Sequence, residues 1–338
     1  MADHLVLHCA ILSKETDESR HLVEYLITNV PGCLEKKSEE GHTPLALAFS
    51  YHRVTFADIL IKAGANQAVR DGQGHNLLHL LLCGINGGVG LTLGDPSNVT
   101  TLLGFFDQRL VPSLLTERAS GSLTPLSRWL HETGSSTYYH TNSYIGRFAY
   151  ESDHDMNTEN MVDVARCLLE FAAVTNQRHL ELLDGAGNSP VHDAVKRQLL
   201  GVLELMLDYR PDLLLRENAT GATPLELAAD AWIEEVTMSP PILRSDAPPS
   251  VVDRHRTASI EEKEQRSQRE AVYDLCRRKV LQRPGKRKLV SLNEANEVAR
   301  RLVMKTEARN TPNDPLVSAS DTDARFKMWR RDTRRIQT

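Results

Sequence analysis

The chain has 338 residues, with 40 basic and 45 acidic side chains, a net charge of −5, five cysteines and 41% apolar content. No run approaches the roughly 18 apolar residues of a membrane-spanning helix. The start, Met1-Ala2-Asp3-His4, has neither the basic nor the apolar part of a secretory leader, and Cys9, Cys33, Cys83, Cys167 and Cys276 show no Cys-x-x-Cys pairing. A membrane partner, a disulfide framework and a zinc finger are therefore excluded, and an intracellular location, cytoplasm or nucleus, is expected. The near-neutral total is a cancellation: residues 1–253 carry 18 basic against 33 acidic side chains, residues 254–338 carry 22 against 12. An acidic body and a basic tail each present their own field to partners.

In chain order, Leu5-Val6-Leu7-His8-Cys9-Ala10 is a decayed first copy of a recurring pattern. Gly41-His42-Thr43-Pro44-Leu45-Ala46 is a clear copy, and Gly74-His75-Asn76-Leu77-Leu78-His79 follows 33 residues later. Leu123-Thr124-Pro125-Leu126 is weaker; Gly187-Asn188-Ser189-Pro190-Val191-His192 and Gly221-Ala222-Thr223-Pro224-Leu225-Glu226 are again clear. The hydroxyls of Thr43, Thr124, Ser189 and Thr223 can cap a helix, Pro44, Pro125, Pro190 and Pro224 take the first helical position, where a missing N–H costs nothing, and the preceding Gly supplies a turn with positive φ. Leu45 and Leu225 are expected in the core between repeats.

A second helix follows each start, marked by a small or branched residue and an apolar pair: Val23 with Leu26-Ile27, Ala57 with Leu60-Ile61, Val99 with Leu102-Leu103, Ala165 with Leu168-Leu169, Leu203 with Met206-Leu207, and Val272 with Leu275-Cys276. One such hairpin cannot bury its own apolar face, so neighbours must stack. Three connections between paired helices are enlarged: a glycine-rich one at 84–98, one at 133–158 that is rich in Tyr and His, and one at 231–270 that holds the prolines. Ser291-Leu292-Asn293-Glu294 is a capping box, opening an amphipathic helix through Leu292, Ala295, Val298, Ala299, Leu302 and Val303 that would cap the stack.

The Thr-Pro-Leu-His pattern and the apolar pair on the second helix resemble the ankyrin-repeat family. The resemblance implies an all-α fold: a solenoid of about six helix pairs with β-hairpin fingers, plus a C-terminal helical extension. The layout it suggests has repeats one to five and the first helix of the sixth at 1–238, a proline-rich linker or insertion at 239–258, a basic helical segment completing and capping the solenoid at 259–309, and a disordered basic tail at 310–338. By position in the repeat, the family's variable contact sites correspond to Lys37, Glu39, Glu40, His42, Tyr51, Arg70, Gln73, His75, Asn188, Glu217 and Thr220.

Candidate chemistry is sparse. His75 and His79 stand one helical turn apart, a spacing that can ligate zinc, but His8, His79 and His192 fall at the repeat's own histidine position and read as structural. Gly84 to Gly90 lacks the Gly-Lys-Ser/Thr end of a phosphate loop. No metal, cofactor or catalytic residue is assigned. Two basic clusters, Arg283, Lys286, Arg287 and Lys288, then Arg330, Arg331, Arg334 and Arg335, are open to three uses: nuclear import, nucleic-acid contact, or pairing with the acidic body. The first reading of function is a monomeric, non-enzymatic scaffold or adaptor that binds another protein on its finger and concave surface. The second is a nuclear transcriptional or chromatin regulator whose basic tail adds import or nucleic-acid contact. The third is an enzyme built on the Tyr and His residues of 131–154.

Overall fold

The computed structural model describes residues 5–30, 32–84, 95–139, 154–237 and 249–309. They are helical, and the chain divides into two compact units, Met1–Asp184 and Gly185–Thr338. The first unit contains α1 (Val6–Leu12), α2 (Asp17–Asn29), α3 (Pro44–Ser50), α4 (Val54–Lys62), α5 (Leu77–Cys83), α6 (Pro96–Gly104), α7 (Val111–Thr116), α8 (Pro125–Tyr139) and α9 (His154–Phe171). The second contains α10 (Pro190–Lys196), α11 (Leu200–Tyr209), α12 (Pro224–Thr237), α13 (Pro249–Gln282) and α14 (Leu292–Arg309).

The helix starts follow the capping chemistry. Thr43 Oγ1 accepts from Ala46 N at 3.2 Å, Thr124 Oγ1 from Ser127 N at 3.3 Å and Thr223 Oγ1 from Glu226 N at 3.3 Å. Asn76 does the same for α5 through Oδ1, which accepts from Leu78 N and His79 N. Each cap satisfies an amide that the first turn of a helix leaves without a partner.

Packing in the first unit forms two rows. One runs α1, α3, α5, α8, each helix against the next, and the other runs α2, α4, α6, α9. In the second unit α10 packs on α11 and α12, and α13 packs on both α11 and α12. The apolar signature of the second helices lies inside: Val23, Ala57, Leu60, Val99, Leu102, Leu103, Ala165, Leu168 and Leu169 in the first unit, and Leu203, Met206, Leu207, Val272, Leu275 and Cys276 in the second, are buried. Each large side chain of this set contributes about 1.5–3 kcal/mol by leaving water. The rings of Phe49, Phe106 and Phe171 continue the first core, with centroids 5.0 and 5.7 Å apart. Leu45 is buried as expected, but Leu225 is only half-buried in α12, which closes its row.

Three segments differ from the expectation. Residues 133–139 and 154–158, read as a loop, extend α8 and α9. Pro249 opens a helix of 34 residues, so 249–258, expected as part of a proline-rich linker or insertion, is helical; proline at a first helical position explains the early start. The implied β-hairpin fingers take the form of tight turns: among the described residues the β pairing is limited to isolated bridges, Arg70 with Asn76 and Arg216 with Lys288.

Histidines tie successive repeats within each unit. His8 Nε2 lies 3.0 Å from the His42 carbonyl, His79 Nε2 lies 3.1 Å from that of Leu123, and His192 Nε2 lies 3.0 Å from that of Ala222. Each carbonyl belongs to the residue just ahead of the next helix cap. All three rings are buried. Burial lowers the His79 pKa from 6.5 to about 3, outweighing the support of the Leu123 carbonyl.

Two outcomes follow for stability. Leu45→Ala should cost about 2–5 kcal/mol in urea unfolding, and Leu225→Ala about half as much, since less of that side chain leaves water. The His79 contribution has a defined sign. The unfolded ring takes up a proton near 6.5 that the folded ring refuses down to about 3, so the stability present above 6.5 is lost as pH falls, at about 1.4 kcal/mol per pH unit. Unfolding midpoints between pH 7 and 5 should therefore fall more steeply for the native chain than for His79→Gln.

Candidate interaction surface

Four repeat starts, those of α3, α5, α8 and α12, are preceded by a five-residue turn. In the first unit, Ser38 N donates to the His42 carbonyl, Asp71 N to that of His75 and Ala119 N to that of Leu123, at 2.9, 3.0 and 3.0 Å. The turns also join edge to edge: Gly72 N donates to the Glu40 carbonyl and Ser120 N to that of Gln73, both at 3.0 Å. Glycine at 41 is required twice over. Its φ is +87°, and a Cβ there would stand 2.6 Å from Gly72 N.

Asp71 holds two of these turns together. Its Oδ1 accepts from Gln73 N and His75 N, each at 2.8 Å, while Oδ2 meets His75 Nδ1 at 2.8 Å and His42 Nε2 at 3.5 Å. Burial raises its carboxyl pKa, but the hydrogen bonds from His75 and Gln73 outweigh that and leave it below the usual value. Burial also lowers His75, helped by the charge of Arg128, against the pull of Asp71. Asn218 plays the same part in the second unit: its Oδ1 accepts from Thr220 N, Thr220 Oγ1 and Ala222 N. Asp71 and Asn218 were absent from the expected set, although an Asp or Asn three residues before the turn glycine is a legible turn signal.

The expected contact residues divide by burial. In the first unit Lys37, Glu39, Glu40, Arg70 and Gln73 are exposed, Tyr51 is half-buried, and His42 and His75 are buried in the Asp71 cluster. In the second unit Thr220 is exposed, whereas Asn188 and Glu217 are buried. Asn188 Oδ1 accepts from Lys196 Nζ at 2.7 Å and Asn218 Nδ2 at 3.1 Å. The residue ahead of the turn also reaches forward along the stack: Lys37 Nζ donates to the Arg70 carbonyl, and Arg70 pairs with Glu117.

Of the basic residues, Arg283, Lys286, Arg287 and Lys288 are exposed between α13 and α14. Arg287 is engaged on three sides. Nε meets Glu217 Oε1 at 2.6 Å, Nη1 meets Glu226 Oε1 at 2.6 Å, and Nη2 donates to the Gly221 carbonyl at 2.7 Å. Glu226 stands at the repeat's histidine position, and sequence reasoning did not pick it out as a partner. Arg330, Arg331, Arg334 and Arg335 lie outside the described residues.

One arrangement has the look of a nucleophile pair: Ser189 Oγ lies 2.7 Å from His192 Nδ1. Both residues are fully buried, and His192 Nε2 is occupied by the Ala222 carbonyl. The pair closes the α10 capping box and offers no room for a substrate. His79 is engaged in the same way, by Asn76 at Nδ1 and Leu123 at Nε2, which leaves no ring nitrogen for the metal that its spacing from His75 suggested. Of the Tyr and His residues of 131–154, His131 lies 3.3 Å from Asp184, and residues 140–153 fall outside the described residues.

No protein-family model matches the chain, and no curated protein does. Among solved structures it is similar to a crystal structure of the ankyrin repeat domain of Bcl-3, described as a unique member of the IkappaB protein family. The identity is 20%, with 65% of this chain and 92% of that chain covered, and the TM-score is 0.33.

The turn geometry separates frame from surface. Asp71→Ala removes the acceptor for two amides and two rings, so it should lower stability by about 1–3 kcal/mol in urea titration. Glu39→Ala should stay within about 0.5 kcal/mol of the native chain.

Proposed function

We propose that this chain is an ankyrin-type repeat protein, a solenoid that acts without catalysis as an adaptor and binds another protein across the turn face of its first unit. The observation that carries the reading is the division of labour among the polar residues of the turns. Asp71, His42, His75 and Asn76 spend their hydrogen-bonding capacity on the frame. Lys37, Glu39, Glu40, Arg70 and Gln73 stand exposed on consecutive turns that the backbone holds edge to edge. A row of polar side chains of both signs on a pre-organised frame is suited to protein recognition, because little ordering entropy remains to be lost on binding. Thr220 extends the same character to the second unit.

The nuclear-regulator reading has less support from the basic cluster at 283–288. Arg287 is held by two carboxylates and a carbonyl, which competes with phosphate for the same donors.

Proteins recovered from a cell extract on the immobilised native chain should be compared with those on a Glu39→Ala, Arg70→Ala, Gln73→Ala variant. The variant should keep its thermal midpoint and bind the principal partner about 10–100-fold more weakly, as expected for loss of a few interface side chains. Retention of every partner at native affinity would contradict the proposed surface.

A further inference from the structure

Within the second unit, the segment between α13 and α14 lies on one of the unit's own turns. Lys288 N donates to the Leu215 carbonyl at 2.8 Å, and Glu217 N donates to that of Lys288 at 2.9 Å, so the chain at 288 pairs with Arg216 in a single parallel β-bridge. Arg287 fills a socket made by Glu217, Glu226 and the Gly221 carbonyl. Val290 N reaches Glu217 Oε2 at 3.3 Å. Beyond it α14 turns its stripe of Ala295, Val298 and Ala299 inward. Val298 sits over Gly187, where a Cβ would collide with Ala219 and stand 3.1 Å from Val298 Cγ1. Arg216 adds an ion pair to Glu294 at 2.8 Å.

We propose that residues 286–300 are a detachable occupant, and that the surface beneath them binds in exchange a partner segment of the same chemistry: an arginine in extended chain followed by a capped helix with a small apolar stripe. The proposal rests on reading the turn face of a repeat unit as a binding surface, and adds the kind of partner that the second unit takes.

Three features favour exchange over permanent packing. First, the outer contact of the attachment is charged and wet, while Glu217 and the apolar stripe lie buried beneath it: the Arg287 and Glu226 side chains are 43% and 44% exposed, so salt screens their attraction. Second, α14 carries its own capping box, Ser291 with Glu294, and is joined to α13 through the exposed Arg283-Pro284-Gly285, so it can lift as one helix. Third, the surface left behind would present unpaired backbone at Leu215 and Glu217, two carboxylates, and a glycine-floored seat. An open edge with a side-chain socket is a recurrent means of capturing an extended peptide.

The socket is particular to the second unit. Glu217 precedes its turn at the position where the first unit carries Lys37, Arg70 and Arg118. That reversal of charge selects an arginine at this turn and repels one at the others.

The test uses the full chain and a fluorescent peptide with the sequence of residues 283–309. The native chain should bind the peptide weakly, because its own segment fills the site. An Arg287→Glu, Val298→Asp variant should bind it at least tenfold more tightly, and adding Glu217→Lys should abolish the gain. Equal binding by native and double-variant chains, or binding that survives Glu217→Lys, would overturn the proposal. Hydrogen exchange on the unmodified chain gives a second reading that needs no variant to fold. In 1 M salt the amides of Lys288 and Glu217 should exchange faster while those of Leu203 and Met206 keep their protection. Loss of all four together would mark a permanent part of the core and overturn the proposal, as would selective loosening without peptide binding. Neither outcome depends on the first-unit substitutions, so failure here is distinguishable from failure of the general reading.

Discussion

Two bonds between successive repeats carry the rest of the structure: a histidine ring to a carbonyl in the interior, and an amide to a carbonyl at the rim. A single helix pair exposes most of its apolar face, so its stability is a property of the stack. His79 reaches forward to Leu123 from the buried side, and Ser120 N reaches back to Gln73 from the turn side. Between them the next helix start is held in place, and α5 packs on α8 with its leucines buried. The ring must stay neutral to do this. A buried imidazolium beside these apolar side chains would need a counter-charge that the Leu123 carbonyl does not supply.

Much of this was legible in the residues. Thr-Pro at 43–44, 124–125 and 223–224 names a helix start through the chemistry of the first turn, whatever surrounds it. The apolar pairs after Ala57 and Val99 locate the second helices because a helix buried on one side has a fixed period. What escaped was set by tertiary placement. Val111, Leu114 and Leu115 form the short buried helix α7, and Leu213 and Leu214 a buried 3-10 turn, yet runs so short have no period to read. The half-burial of Leu225 depends on which helices cover α12, and a repeat motif carries no such record.

The candidate surface was legible only in part, for a similar reason. Equivalent positions in a repeat need not share an environment. His42 and Gln73 both belong to turns, yet the first is drawn inward by Asp71 and the second is left in water. Glu217 looked like a variable surface residue and is instead the buried side of a charge pair with Arg287, from seventy residues later in the chain. This pairing also gives meaning to the division of charge along the sequence. At least part of the basic excess after residue 253 is used against acidic groups of the same unit, Arg287 on Glu226 and Lys279 on Asp208.

The stacking of turns is the claim on which both frame and surface depend, and the amides of Gly72 and Ser120 report on it directly. Both residues are exposed, so their amides would exchange quickly if the turns were independent loops. Hydrogen exchange followed by NMR at pH 7 should find both protected to the level of the neighbouring helices α3 and α5, with exchange coupled to opening of the stack. Exchange of either at the rate of an unstructured peptide, while α3 and α5 remain protected, would show that the turns are not joined and would contradict the account.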